Sequence, residues 1–176
     1  MPIRIEGQVA ATLSALVGCV VLTGSSLTGQ APPDRPLDLD SAAVLCVRRA
    51  TAALTDRAQA TLPGVVRRFQ SGLPGDQEFS VTIRLYDNRG REEQVFVVIH
   101  EMRGDTLVGV LASDIRLVHG FAAGMGVLVL PAAVLDWTIL HADGTEEGNL
   151  IGKWVDSIQD VMTRKPATHL CDLVAA

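Results

Sequence analysis

No charged residue occurs between Gly7 and Pro33, a run of 27 positions in a chain of 176. That absence sets the compartment in which every later cysteine and histidine is read. Within it Val9–Leu22 is apolar, preceded by a short head carrying Arg4 and followed by small polar residues. This is the three-part layout of a secretory signal, so residues 1–30 are expected to export the chain. A buried core helix fits poorly there because Gly18, Gly24 and Gly29 break helical packing.

The familiar chemical motifs are missing too. There is no Gly-x-Ser-x-Gly elbow, no Walker loop and no Cys-x-x-Cys pair, so nucleophile and phosphate sites of those kinds have no foothold. His100, His119, His141 and His169 are scattered, without the close His or acid spacing of zinc ligands. No metal or cofactor is therefore expected. The chain carries a net charge of −5 and has no basic run, which argues against nucleic acid as a partner. It also lacks a polybasic patch, so membrane attachment is expected only through the N-terminal segment. Gly124-Met125-Gly126 is half of a dinucleotide fingerprint and precedes a strand, which makes it a turn.

Three fates suit the leader. Its apolar stretch is shorter than the ~20 residues of a spanning helix, which suits a cleaved signal peptide. Leu16-Val17-Gly18-Cys19 resembles a lipobox, in which Cys19 would be lipidated and become the first mature residue. An uncleaved anchor results if Thr23–Leu27 also enters the bilayer. Each fate gives a periplasmic protein or one tethered to the membrane facing the periplasm. With Cys19 removed or lipidated, Cys46 and Cys171 remain, and an even remainder in an oxidising compartment suggests a disulfide. The alternative is two separate buried thiols packing as small hydrophobes.

Residues 31–37 hold Pro32, Pro33 and Pro36 and read as an extended spacer. Residues 38–176, about 140 in number, suffice for one domain with a hydrophobic core. Asp40-Ser41 can cap a helix in which Val47, Thr51, Leu54, Ala58 and Leu62 recur at helical steps. Pro63 is expected to end or kink it, or to open a second helix over Pro63–Ser71 with Val66 and Phe69 inward. The period then changes. Phe79, Val81, Ile83 and Leu85 alternate with Ser80, Thr82, Arg84 and Tyr86, a half-buried strand. Asp87-Asn88-Arg89-Gly90 turns the chain into a second strand, Glu92–Met102. Gly104-Asp105 then leads to a third, Thr106–Ala112, and such short links make an antiparallel meander. Gly126–Leu130 and Asp136–Leu140 are further strands, and Leu150, Ile151, Trp154, Ile158 and Val161 mark a helix from Leu150 to Arg164. The expected fold class is α+β: N-terminal helices packed on a bent antiparallel sheet of about five strands, with a C-terminal helix.

Several of these blocks also resemble a known pattern. Gly104-Asp105-Thr106-Leu107-Val108-Gly109-Val110-Leu111-Ala112-Ser113-Asp114 is similar to the Gly-Asp…Gly-x-Leu-Ala-Asn block of the YegJ-like family, domain of unknown function 2314. Asp136-Trp137, Asp143-Gly144 and Gly148 resemble that family's Asp-Trp…Asp-Gly…Gly ending. Phe79-Ser80-Val81 and Ala58-Gln59-Ala60-Thr61-Leu62-Pro63 resemble its beginning, so the likeness spans about Ala50 to Gly152. Two departures stand out. Glu93-Gln94-Val95-Phe96 occupies the place of the family's Glu-His-Met-Trp, and the chain looks helical where the family continues as a strand. The resemblance implies a bacterial domain and a fold, and no activity.

Asp136 and Trp137 are the candidate ligand-binding residues. The indole would floor a groove while Asp136 holds a polar group, or both would be structural, the ring packed under helices and the acid bracing a turn. Asp105 and Asp114 read as turn and cap residues, and Arg48-Arg49 and Arg67-Arg68 as a solvated helix face. The first functional expectation is a non-enzymatic exported module binding a protein or envelope component. The alternatives are a hydrolase-like enzyme assembled from Asp105, His119 and Asp136, or an immunity-type inhibitor of a toxin.

Overall fold

A computed structural model describes residues 41–164 and residue 171. The leader at 1–30 with Cys19, the spacer at 31–37, Asp40 and His169 lie outside the described residues.

Helix α1 spans Ser41–Gln70. Its buried stripe is Val47, Thr51, Ala58, Leu62 and Val65, with Leu54, Val66 and Phe69 half-buried, the spacing that keeps side chains on one helical face. Pro63 neither ends this helix nor starts another, which corrects the expectation of a break. An interior proline forfeits one backbone bond and costs about 3 kcal/mol. Here its ring is exposed, while Leu62 and Val65 on either side of it are buried. Burying side chains of that size is worth about 1.5–3 kcal/mol each, so anchoring both halves in one core outweighs the local cost. The helix stops after Gln70. The Ser71 amide and hydroxyl both donate to the Arg67 carbonyl at 3.0 and 2.8 Å, and the Gly72 amide donates to Phe69 O at 3.0 Å.

The strands are β1 (Glu78–Tyr86), β2 (Glu92–Arg103), β3 (Thr106–Leu111), β4 (Gly126–Val129), β5 (Asp136–Leu140) and β6 (Glu146–Gly148). They form one six-stranded sheet in the order β4-β3-β2-β1-β5-β6, with every pairing antiparallel. The sixth strand, β6, escaped sequence reading because three residues cannot show an alternation. A bulge in β2 between Ile99 and Glu101 leaves His100 as the extra residue and bends the ladder against β3. Helix α2, Leu150–Arg164, closes the domain. The class is α+β.

The core lies on one face of the sheet. Phe79, Val81, Ile83 and Leu85 of β1 join Val95, Val97 and Ile99 of β2, Trp137 and Ile139 of β5, and Ala58, Leu62 and Val65 of α1. The connection from β4 to β5 must cross the sheet from one side to the other. It does so through a short 3-10 turn, Pro131–Ala133, pinned by the Gln59 amide to the carbonyls of Pro131 (3.0 Å) and Val134. Leu135 N then donates to Thr82 O at 2.8 Å and starts β5 beside β1.

Cys46, buried on α1, forms a disulfide with Cys171, with α-carbons 5.1 Å apart across a separation of 125 residues. In a chain-entropy account, closing so long a loop destabilises the unfolded state by about 4–5 kcal/mol. Among the described residues no helix is long and apolar enough to cross a membrane.

Candidate functional site

Asp136 and Trp137 begin β5, where β1 brings them beside α1 and where the chain later returns as β6 and α2. Asp136 is 1% exposed. Its Oδ1 accepts the Trp137 amide at 2.8 Å and its Oδ2 accepts Ile151 N at 2.7 Å, with Leu150 N–H also directed at the carboxylate. Asp136 thus satisfies the first amides of α2 from a neighbouring strand, the position at which a helix favours negative charge. Burial pushes its carboxyl above the ordinary aspartate value, opposed by these amides and by the Lys153 charge.

The Trp137 indole N–H donates to Thr61 Oγ1 at 2.9 Å, and its backbone carbonyl accepts Asn149 N at 2.8 Å. Asp143 accepts the Thr145 amide and hydroxyl at 2.9 and 2.6 Å, fixing the β5–β6 turn, and Gly144 there has φ +80°. Gly148 has φ +79° and lies so close to Trp137 that an added Cβ would fall 2.2 Å from its carbonyl oxygen. Asn149, at φ +50°, donates its side-chain amide to Glu146 at 2.6 Å as α2 begins. The residues of the Asp-Trp…Asp-Gly…Gly pattern therefore converge on one junction. There they fasten a hairpin, an indole and a helix start, and the polar atoms of Asp136 and Trp137 are bonded within the fold.

A second convergence was invisible in the sequence. Glu93, at the start of β2, accepts three successive backbone amides from the β3–β4 loop: Arg116 at 2.9 Å, Leu117 at 2.7 Å and Val118 at 3.1 Å. Asp87, in the β1–β2 turn, has a side chain only 1% exposed. It accepts the amides of Arg89, Arg91 and His119 at 2.9, 3.0 and 3.3 Å, and pairs with the Arg91 guanidinium at 2.6 Å. Burial works against its ionisation, yet the Arg91 guanidinium and these amides hold the carboxyl far below the usual aspartate range. Together the two acids clamp a long loop over the core, where it inserts Val118 and rests Ile115 and Phe121. Only the turn chemistry of Asp87 was legible beforehand. Nothing in the spacing marks Glu93 as the acceptor for residues more than twenty positions later.

The remaining sequence candidates are dispersed. Asp105 sits in the exposed β2–β3 turn, while the His119 amide is bonded to Asp87 near the other end of β2. At ~3.3 Å per residue the strand between those ends measures about 35 Å, so Asp105 and His119 do not meet. Asp136 pairs with Thr82 in the middle of the sheet and joins neither. His100 is the bulge residue, and His141 flanks the β5–β6 turn. Among the described residues no group of three or more His, Cys, Asp or Glu could hold a metal ion. Asp114 is exposed and paired with Arg116 at 3.0 Å. Arg48 is less solvated than the expected polar face, reaching Tyr86 Oη at 3.1 Å and Glu92 at 2.8 Å.

The described residues also form a concave surface. A groove of about 450 Å³ opens where α1 ends, lined among others by Gly64, Arg67, Ser71, Leu73, Pro74 and Gln77. Arg68, also on its wall, is tied to Glu147 at 2.5 Å. No family model, no curated protein and no solved structure matches this chain.

Proposed function

We propose that this chain is an exported, non-enzymatic module that binds a protein or envelope component from the periplasmic side. The observation that carries the reading is the Cys46–Cys171 disulfide, which ties the start of the described fold to its end and is compatible with an oxidising, exported location. The roles of the acids support it. Asp87, Glu93 and Asp136 are each engaged by backbone amides, so their charge is directed inward at the scaffold. The N-terminal leader, as a cleaved signal, a lipidated Cys19 or an anchor, would deliver the module, and the spacer would hold it off the membrane.

The test is crosslinking of the full chain in living bacteria, followed by envelope fractionation and thiol alkylation without reductant. Discrete crosslinked species in the envelope fraction, with Cys46 and Cys171 resistant to alkylation, are expected. A soluble cytosolic protein with both thiols alkylated, or a chain that crosslinks to nothing in any fraction, would refute the proposal.

One observation favours a second reading, acid–base chemistry. Glu78 Oε1 is buried without a hydrogen-bond partner, and burial raises the Glu78 carboxyl against the pull of His100. The register that pairs Ser80 with Val98 places Glu78 opposite His100. Among the described residues no hydrogen bond joins the two side chains. The binding reading therefore stands first.

A further inference from the structure

The two edges of the sheet are finished differently. In β6 the carbonyls of Glu146 and Gly148 both accept the Lys153 ammonium, at 2.9 and 2.7 Å. Glu146 and Glu147 add charge there, so that edge is closed to a further strand. At the opposite edge, β4 pairs only with β3 among the described residues. Leu111 bonds toward β4 through both its N–H and its carbonyl, while the Ala112 N–H bonds toward β2, to Phe96 O. By antiparallel alternation Leu107 and Gly109 then exchange bonds with Val129 and Val127. The N–H and C=O groups of Gly126 and Leu128 are left directed outward. Leu130, whose backbone is extended, continues the alternation.

No charge guards this edge: from Leu117 to Leu135 the sequence has no Asp, Glu, Lys or Arg. Gly126, Leu128 and Leu130 share one face of the sheet. Leu130 is exposed, and the space over Gly126 is open, since a Cβ built there meets nothing within 4 Å. The strand is therefore its own complement. A second β4, related by a two-fold axis through Leu128, would exchange bonds at Leu128 and set Leu130 across from Gly126 at both ends. Each exposed leucine then covers the backbone that the other copy's glycine leaves bare, and the two Leu128 side chains meet as an apolar pair. Charge favours the same occupant. A chain of net charge −5 repels its own copy, and that repulsion is weakest along an uncharged edge.

We infer that β4 is the contact strand of a two-fold homodimer, in which the sheet continues into that of a second copy with Leu128 opposite Leu128 and Leu130 opposite Gly126. The pairing needs no other protein and does not depend on the binding-module reading.

The test is the sedimentation mass of the oxidised full chain in mild detergent, for the wild type, Leu128→Glu, Leu128→Lys and an equimolar mixture of those two variants. The wild type is expected to reach dimer mass. Each variant alone sets like charges opposite each other and should self-associate about tenfold more weakly, whereas the mixture pairs Glu with Lys and should return to dimer mass. Leu130→Asp, at an exposed position, should weaken dimerisation while its urea midpoint stays near that of the wild type. A monomeric wild type, a dimer that all three variants leave intact, or a mixture of folded variants that stays monomeric would overturn the assignment. A complex whose mass requires a different polypeptide would overturn it too, and would give the edge to that partner.

Discussion

Replacing Gly148 by alanine separates two costs that usually arrive together. At φ +79° any L side chain is strained, by about 1–2 kcal/mol. The new Cβ would also fall 2.2 Å from the Trp137 carbonyl oxygen and 2.6 and 2.7 Å from two carbons of its ring. No backbone and ring can both stay in place at those distances. The Asn149 amide bond to that carbonyl would loosen and the indole would move off Thr61, and overpacking of this kind adds about 1–3 kcal/mol. The total loss is therefore about 2–5 kcal/mol.

Gly144 is the internal control. Its φ of +80° is nearly the same, but a Cβ there meets nothing within 4 Å, so Gly144→Ala should cost only the conformational part, about 1–2 kcal/mol. Urea unfolding followed by tryptophan fluorescence, with the disulfide intact, measures both variants. At a slope near 2 kcal/mol per molar, the midpoint should fall by about 1–2.5 M for Gly148→Ala and by about 0.5–1 M for Gly144→Ala. Equal losses would refute the claim that close packing on Trp137 is what demands glycine at 148.

Asp136→Ala should cost about 2–4 kcal/mol, because it strands buried amides at the start of α2, and hydrogen exchange there should accelerate most. Glu93→Gln should cost about 1–3 kcal/mol and speed exchange at Arg116, Leu117 and Val118 while the core strands stay protected. Asp87 titrates far below its unfolded value, so its contribution to stability is complete above that value and lost as pH falls through the native one. Asp87→Asn should accordingly flatten the acid limb of the stability profile below about pH 4, measured by denaturant midpoints. Burial has the opposite sign at Asp136, whose raised carboxyl favours the fold at lower pH. Cys46→Ser with Cys171→Ser should lower stability by at most about 4–5 kcal/mol, read from the urea midpoint against the oxidised wild type.

Strands β1 to β5 and helix α2 were legible from runs and spacings of apolar residues, but β1, expected to be half-buried, is covered on both faces, with Ser80 and Thr82 buried as well. Asp136–Leu140 and Leu150–Arg164 are bounded as expected, the helix from its apolar spacing. Pro63 misled because a local rule met two anchored helix halves, and only the tertiary contacts of Leu62 and Val65 decide that contest. The site was less legible. Asp136 and Trp137 stood out for their chemistry, yet their partners, Thr61, Asn149, Leu150 and Ile151, are set by topology and not by spacing. Glu93 gave no signal at all, since three backbone amides have no sequence identity to recognise.

Tension applied to the polypeptide ahead of Cys46 and beyond Cys171 would be carried by a single covalent link whose flanking α-carbons are 5.1 Å apart. The sheet, α2 and the part of α1 beyond Cys46 lie outside that load path. A domain suspended from a lipid or an anchor could therefore be tugged by whatever grips its far end without a single strand being peeled away, until a reductant cuts the shunt.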